Sequence, residues 1–276
     1  MIRELLDLLA SAPMLEVATL DFWGGPMLGI EPFGFVTLSK LRKLVWAIRG
    51  RFSLPRFLIT PELHDLKIRL NYDPTHNDPS IILPPHRDPF PLLIEPTALR
   101  YVCYGSTRTW DFTYTSGHLT ITESPGLCTR DPPADRWLSE NVPISFWSMK
   151  ELVVEGFDGY PLPRNIPIDQ FGSLESLGLV GEADRLLEIL KPNGNTSGEV
   201  IPVPFLSHLE LHPTFHERNF LSELSLMGIL IERKEAGHRV KTIRIVGSYH
   251  LGEMASELAK FVDVLTLDQI PDSVEH

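Results

Sequence analysis

Cysteine is nearly absent from this 276-residue chain: Cys103 and Cys128 are the only two. That excludes a disulfide scaffold and a four-thiolate zinc site. It also makes a reducing compartment, cytoplasm or nucleus, the simplest home. Long apolar runs are missing too, and none reaches the ~18 residues that a membrane-spanning helix requires. The opening MIRELLDLLASA interrupts its leucines with Arg3, Glu4 and Asp7, so it does not read as a secretory signal. Positive charge is scarce. Lys and Arg number 25 against 36 Asp and Glu, a net charge of −11, which argues against nucleic acid or an anionic membrane as the main partner. The chain has no G-x-G-x-x-G, Walker-type loop, G-x-S-x-G, H-E-x-x-H or C-x-x-C. Proline breaks the pattern of scarcity: 24 prolines are too many for a helix bundle.

What is present is a repeat. The pattern of one apolar residue, two mostly polar ones, an apolar, a variable and another apolar residue recurs along the chain. It runs Leu15–Leu20, Leu41–Trp46, Leu63–Ile68, Leu99–Tyr104, Met149–Val154, Leu174–Leu179, Leu206–Leu211, Val240–Ile245 and Val262–Leu267. A weaker copy falls at His118–Ile121. This is the L-x-x-L-x-L core of leucine-rich repeats, and its last part alternates as a half-buried strand does. The spacing predicts an irregular leucine-rich-repeat-like curved solenoid of α/β class. One parallel sheet would carry helices and proline-rich loops on its outer side. Residues 1–276 form a single domain in this reading, with 71–98 and 123–148 as irregular insertions. The competing architecture is an ordinary parallel α/β sheet with amphipathic helices between its strands.

Helices are expected over Arg3–Ser11, Gly181–Leu190, His216–Gly237 and Tyr249–Phe261, each from an apolar stripe at helical period. In the first, Leu5, Leu6, Leu8 and Leu9 make the stripe. Trp110–Tyr114 and His118–Thr122, joined by Thr115-Ser116-Gly117, read as a hairpin or as a small repeat with an approach strand.

These segments give the chain a family likeness. LLDLLASAPMLEVATLDF, LPRFLITPELHDLKIRL, PLLIEPTALRYV with RTWDFTY, SMKELVVEGF and ERKEAGHRVKTIRIVG together span nearly the whole length. In them the chain resembles the leucine-rich-repeat portion of F-box-like proteins of mushroom-forming fungi. The resemblance implies a repeat surface that holds a target protein for a cullin-type ubiquitin ligase. In such proteins an F-box, a helical module, precedes the first repeat. Here Met1 opens onto a helix of the repeat region, so the ligase adaptor is expected as a partner only where an F-box precedes Met1 in the full gene product.

Candidate chemistry is sparse. His208, His212 and His216 are four apart, which on a helix would present three imidazoles to a metal, but His208 lies inside an expected strand and Pro213 bars a continuous helix. His86-Arg87-Asp88 matches a kinase catalytic tripeptide without the accompanying motifs. Cys103 reads as a small packing residue and Asn195-Thr196-Ser197 as a coincidental sequon. Lys40–Arg56 is acid-free, holding Lys40, Arg42, Lys43, Arg49, Arg51 and Arg56, and reads as a solvated face. Trp46 is expected in the core; Trp23, Trp110, Trp137 and Trp147 are assigned to core or loop packing. No catalytic residue, metal or cofactor is assigned. The functional expectation is a non-enzymatic protein-interaction scaffold; the alternative is an α/β-class hydrolase or transferase with a divergent site.

In a strand of period two, alternate residues share a face. The buried face is expected to hold Leu15, Leu20, Leu44, Trp46, Leu66, Ile68, Val102, Leu152, Val154, Leu177, Leu179, Leu209, Leu211, Ile243, Ile245 and Leu265. The open, concave face would then present Lys43, Asp65, Lys67, Arg69, Tyr101, Glu151, Glu155, His208, Glu210, His212 and Arg244 to a protein partner. Asp21, Cys103, Val153, Ser176 and Thr242 would lie among them. Lys43, Lys67 and Arg69 should form a basic cluster tempered by Asp21 and Asp65. Glu151, Glu155 and Glu210 should make the later half acidic, opposed by Arg244.

Overall fold

The structure is a computed structural model. It describes residues 2–23, 34–49, 57–72, 96–104, 107–115, 117–125, 146–157, 171–181, 187, 190, 203–212, 223–247 and 252–268. Among these residues the class is mixed α/β, with mostly parallel strands and few helices. The chain divides into two compact units, Met1–Thr97 with Ser106–Ser145, and Ala98–Gly105 with Phe146–His276.

In the first unit, helix α1 (Ile2–Ala10) leads into β1 (Val17–Trp23), β3 (Lys43–Arg49), β5 (Asp65–Tyr72), β7 (Thr107–Tyr114) and β8 (Gly117–Pro125). The spatial order is β1-β3-β5-β8-β7. The two-residue strands β2 (Val36–Thr37) and β4 (Leu58–Ile59) form a separate parallel ladder. The second unit orders β6 (Pro96–Tyr104), β9 (Glu151–Phe157), β10 (Ser176–Val180), β11 (His208–His212), β12 (Thr242–Val246) and β13 (Val264–Asp268) side by side. Helix α2 (Glu223–Glu235) precedes β12, and α3 (Gly252–Leu258) precedes β13.

The repeat explains the strands. Parallel register places like positions together: Leu44 opposite Leu66, Trp46 opposite Ile68, Leu152 opposite Leu177 opposite Leu209 opposite Ile243. All of these are buried, as are the residues that open the repeats, Leu41, Leu63, Met149, Leu174, Leu206, Val240 and Val262. A second regularity lies just upstream. The N–H of Leu15, Leu41, Leu63, Leu174 and Leu206 closes a turn on the carbonyl three residues earlier, at Ala12, Leu38, Thr60, Phe171 and Val203. The last four of those residues are buried, so the repeat is a nine-residue frame of turn plus strand, as in Leu38–Trp46 and Phe171–Leu179. The second residue of a repeat offers its carbonyl to two N–H groups of the next. Glu16 accepts from Arg42 and Lys43, Arg42 from His64 and Asp65, Glu175 from Ser207 and His208, and Ser207 from Lys241 and Thr242. Parallel ladders lack the tight hairpin that sets antiparallel register, so these bonds and the leucine rows fix it instead.

Of the sixteen residues expected in the core, Leu15, Leu20, Val102 and Leu265 are half-buried and the other twelve buried. Leu20 and Leu265 lie on strands with one neighbour each among the described residues. Val102 marks a register correction. On β6 the inward residues are Leu99, opposite Leu152, and Tyr101, opposite Val154. Tyr101 is 2% exposed and not on the open face. The true repeat is Pro96-Thr-Ala-Leu99-Arg-Tyr101, three residues earlier than expected. Proline has no N–H to give a ladder and fits only the first position of a strand, which is where Pro96 stands. The weak copy at His118–Ile121 is a full strand: β8 pairs parallel with β5, Leu66 opposite Leu119 and Ile68 opposite Ile121. The expectation of a wholly parallel sheet fails at β7, which returns antiparallel on β8 as the hairpin reading allowed.

Helices follow their apolar spacing in part. In α1 Leu6 and Leu9 are buried, but Leu8 is 65% exposed, so the stripe is narrower than four leucines. In α2 the inward positions are Leu226, Ile229, Leu230 and Arg233, three and four apart. The helix stops at Gly237, where a left-handed φ of 82° lets His238 N–H reach the Arg233 carbonyl and Gly237 N–H the Lys234 carbonyl. Most of Gly181–Leu190 and the stretch 216–222 lie outside the described residues, as do 73–95 and 126–145 of the expected insertions.

Arg233 is fully buried in the apolar face of α2, and its Nη2 donates to the Val203 carbonyl at 2.8 Å. Val203 holds a left-handed φ of 51°, costly for a β-branched residue. Burial lowers the Arg233 pKa from its ordinary value to about 10. Between those values the unfolded chain holds more protons, so this cost of folding is fully present below about pH 10 and relieved above it. Arg233→Met should therefore leave the urea midpoint unchanged or raise it, whereas Arg233→Ala should cost about 2–4 kcal/mol through the void it leaves. A Met variant that loses more than about 2 kcal/mol would show that the bond to Val203 dominates. Gly181 has φ 96°, and a Cβ there would fall on the Gly156 carbonyl oxygen. Gly181→Ala is expected to cost about 2–4 kcal/mol in the same measurement.

Candidate functional site

The rows between the apolar ones make an open face on each unit. In the first unit, one row runs Thr19, Val45, Lys67, Thr120, Asp111 and the next Asp21, Ala47, Arg69, Thr122, Thr109. A third holds Val17, Lys43, Asp65, His118 and Thr113. All fifteen are half-buried or exposed. Lys43 lies directly across from Asp65 and pairs with it at 2.9 Å, so it does not add to a basic cluster. Lys67 and Arg69 do stand together, two residues apart on β5. The basic stretch beginning at Lys40 is answered by the next strand's turn: Lys40 Nζ reaches Glu62 at 2.9 Å and Arg42 lies 3.9 Å from it. Lys40, through its hydrogen bond, holds the Glu62 carboxyl below its usual pKa.

In the second unit the middle row is Arg100, Val153, Gly178, Glu210, Arg244, Thr266. Arg100 grips Glu155 with two bonds, Nε to Oε1 at 2.6 Å and Nη2 to Oε2 at 3.0 Å. Glu155 belongs to the open-face rows, yet only 9% of it is exposed. Glu210 Oε1 receives both His212 Nε2 at 2.5 Å and Arg244 Nη1 at 3.0 Å. Arg244 Nε continues to Asp268 at 2.7 Å. Asp268 above all, with Glu210 behind it, holds the Arg244 pKa above its usual value. Gly178 leaves room into which Val153 leans, and a Cβ there would meet Val153 Cγ2 at 3.3 Å. The later half is thus a mosaic of neutralised pairs, with Glu151 exposed and outside them, not the acidic field expected.

His208 and His212 share a face of β11, but four strand residues span about 13 Å, too far to share a metal ion. Among the described residues no three His, Cys, Asp or Glu converge on a metal position, and no helix is long and apolar enough to cross a membrane. Trp46 and Trp110 are core residues, whereas Trp147 is 65% exposed and its ring covers Gly172. His86-Arg87-Asp88, His216, Asn195, Trp137 and the side chains of Trp23 and Cys103 lie outside the described residues. Arg100 and Asp268 were missed by sequence reasoning. The β6 register hid Arg100, and only the row across from Val246 reveals Asp268.

Comparison with known protein families, with curated proteins and with solved structures returned no match. The two open faces therefore carry the functional reading by themselves.

Glu155 is the most buried partner of any ion pair on these faces, though Arg100 across from it is exposed. A double-mutant cycle with Arg100→Ala and Glu155→Ala should give a coupling of about 1 kcal/mol in urea unfolding. Additive effects would reduce the bridge to a surface contact.

Proposed function

We propose that the chain is a leucine-rich-repeat-like solenoid that binds a protein on its open face and performs no catalysis of its own. The observation that carries this reading is the one-to-one parallel register. It buries the leucine rows of the strands flanked on both sides and leaves broad rows of threonine and charge, gathered from many strands, facing outward. Such a face suits recognition of a large surface. In line with the family resemblance, the target is one that an F-box-type ubiquitin-ligase receptor presents to its cullin partner. A second reading, a hydrolase or transferase, draws on the His212–Glu210 contact alone. That carboxylate oxygen also holds Arg244, which makes the contact part of a surface ion network.

Affinity capture with the full-length gene product tests the proposal. The expected catch includes a target protein and cullin-ligase subunits. Thr122→Arg or Thr242→Arg, each a bulky charge on one open face, should abolish capture of the target, while Lys260→Ala should not. Capture indifferent to both arginine variants would overturn the open-face reading, and a catch without ligase subunits would overturn the ligase assignment.

A further inference from the structure

Every cation whose side chain the structure describes on the open face of the second unit is ion-paired: Arg100 with Glu155, and Arg244 with Glu210 and Asp268. The first unit differs. Lys43 is held by Asp65, but Lys67 and Arg69 make no ion pair among the described residues. Their lateral neighbours are short and neutral, Val45 and Ala47 on β3, Thr120 and Thr122 on β8. The two long cationic side chains therefore stand above a low floor, Lys67 half-buried and Arg69 exposed. Asp65, on the same face of β5, is engaged by Lys43. The next acids by register are Asp111, beyond Thr120, and Asp21, beyond Ala47. Each is two strands away, about 9–10 Å, which is as far as physiological salt lets exposed charges act.

We propose that this strip docks an extended acidic peptide, a segment of the protein partner whose alternate side chains bring carboxylates to Lys67 and Arg69. The proposal rests on the scaffold reading and names the chemistry of its partner. Lys67 and Arg69 are two strand residues apart, about 6.6 Å. An extended peptide presents side chains on one side at that same period, so carboxylates at positions i and i+2 match both cations at once. The Arg69 guanidinium can grip its carboxylate through two N–H groups, and Lys67 acts as a point charge. The hydroxyls of Thr120 and Thr122 flank them as donors. A long polyanion is disfavoured because the whole chain carries −11, and a short segment with two carboxylates meets the local charge without that field.

Fluorescence anisotropy with the intact protein tests this. The probe is a labelled peptide holding two glutamates separated by one serine. Its isomer with adjacent glutamates and a single-stranded oligonucleotide serve as competitors. The alternating peptide should bind more tightly than either, and more tightly at low salt. Lys67→Ala with Arg69→Ala should weaken it about tenfold. Asp111→Asn, which removes a flanking like charge, should tighten it about twofold. An unchanged melting temperature of the variants confirms that the fold is retained, as expected for side chains standing partly in solvent. Equal binding of the two isomers, indifference to the double substitution, or preference for the oligonucleotide would overturn the proposal. Target capture that still responds to Thr122→Arg or Thr242→Arg would then leave the scaffold reading intact. Indifference there sinks that reading whatever the peptide does.

Discussion

A repeat of this kind cannot bury its leucines alone. A single turn and strand would leave Leu174, Leu177 and Leu179 on one side with nothing beneath or beside them. Only when the neighbouring strands arrive in matching register do the rows close, Leu152 beside Leu177 beside Leu209 beside Ile243. The carbonyl at the second repeat position, taking two N–H groups from the next strand, holds that register at its upstream end. The charged rows on the other side follow from it, since a slip of one residue would turn every Lys and Glu inward. Lys43 meets Asp65, and Glu210 meets Arg244, because the leucines beside them have already met.

The strands were legible because burial needs apolar residues at fixed spacing, and that spacing survives in the sequence wherever a strand is flanked on both sides. It failed where two registers satisfied the same spacing. In PTALRYVCY both Leu99-x-Tyr101 and Val102-x-Tyr104 are apolar pairs one residue apart, and only the backbone requirement of Pro96 separates them. The antiparallel course of β7 was visible as a hairpin because its turn residues Thr115-Ser116-Gly117 lie in local sequence. Helix faces were read less well. Arg233 sits where the period calls for an apolar side chain, and its reason is a distant carbonyl at Val203 that local sequence does not announce.

The open face was legible in outline and only partly in charge. Of the residues assigned to it whose side chains are described, Tyr101 fills the core and Glu155 is buried beneath Arg100, while the others are half-buried or exposed. Asp65 tempers Lys43 and Arg244 opposes Glu210 as their signs suggested, but the closeness of the pairs depends on which strand is the neighbour. Lys43 looked like one of three cations in sequence, but register sets it against Asp65. Glu155 looked like part of an acidic half, but Arg100, on a strand more than fifty residues earlier, covers it. Charge along a chain reports composition; charge across a sheet reports topology.

The nine-residue frame has a consequence for how such a chain tolerates change. Turn and strand occupy a fixed length, from Leu38 to Trp46 or from Phe171 to Leu179, and all the register-setting bonds described above lie inside it. What separates one frame from the next varies, from 13 residues at 47–59 to 23 at 180–202. A deletion or insertion in that spacer leaves the rows of both faces in step. A binding surface built from such frames can be rewritten one side chain at a time while the connecting segments drift in length on their own schedule.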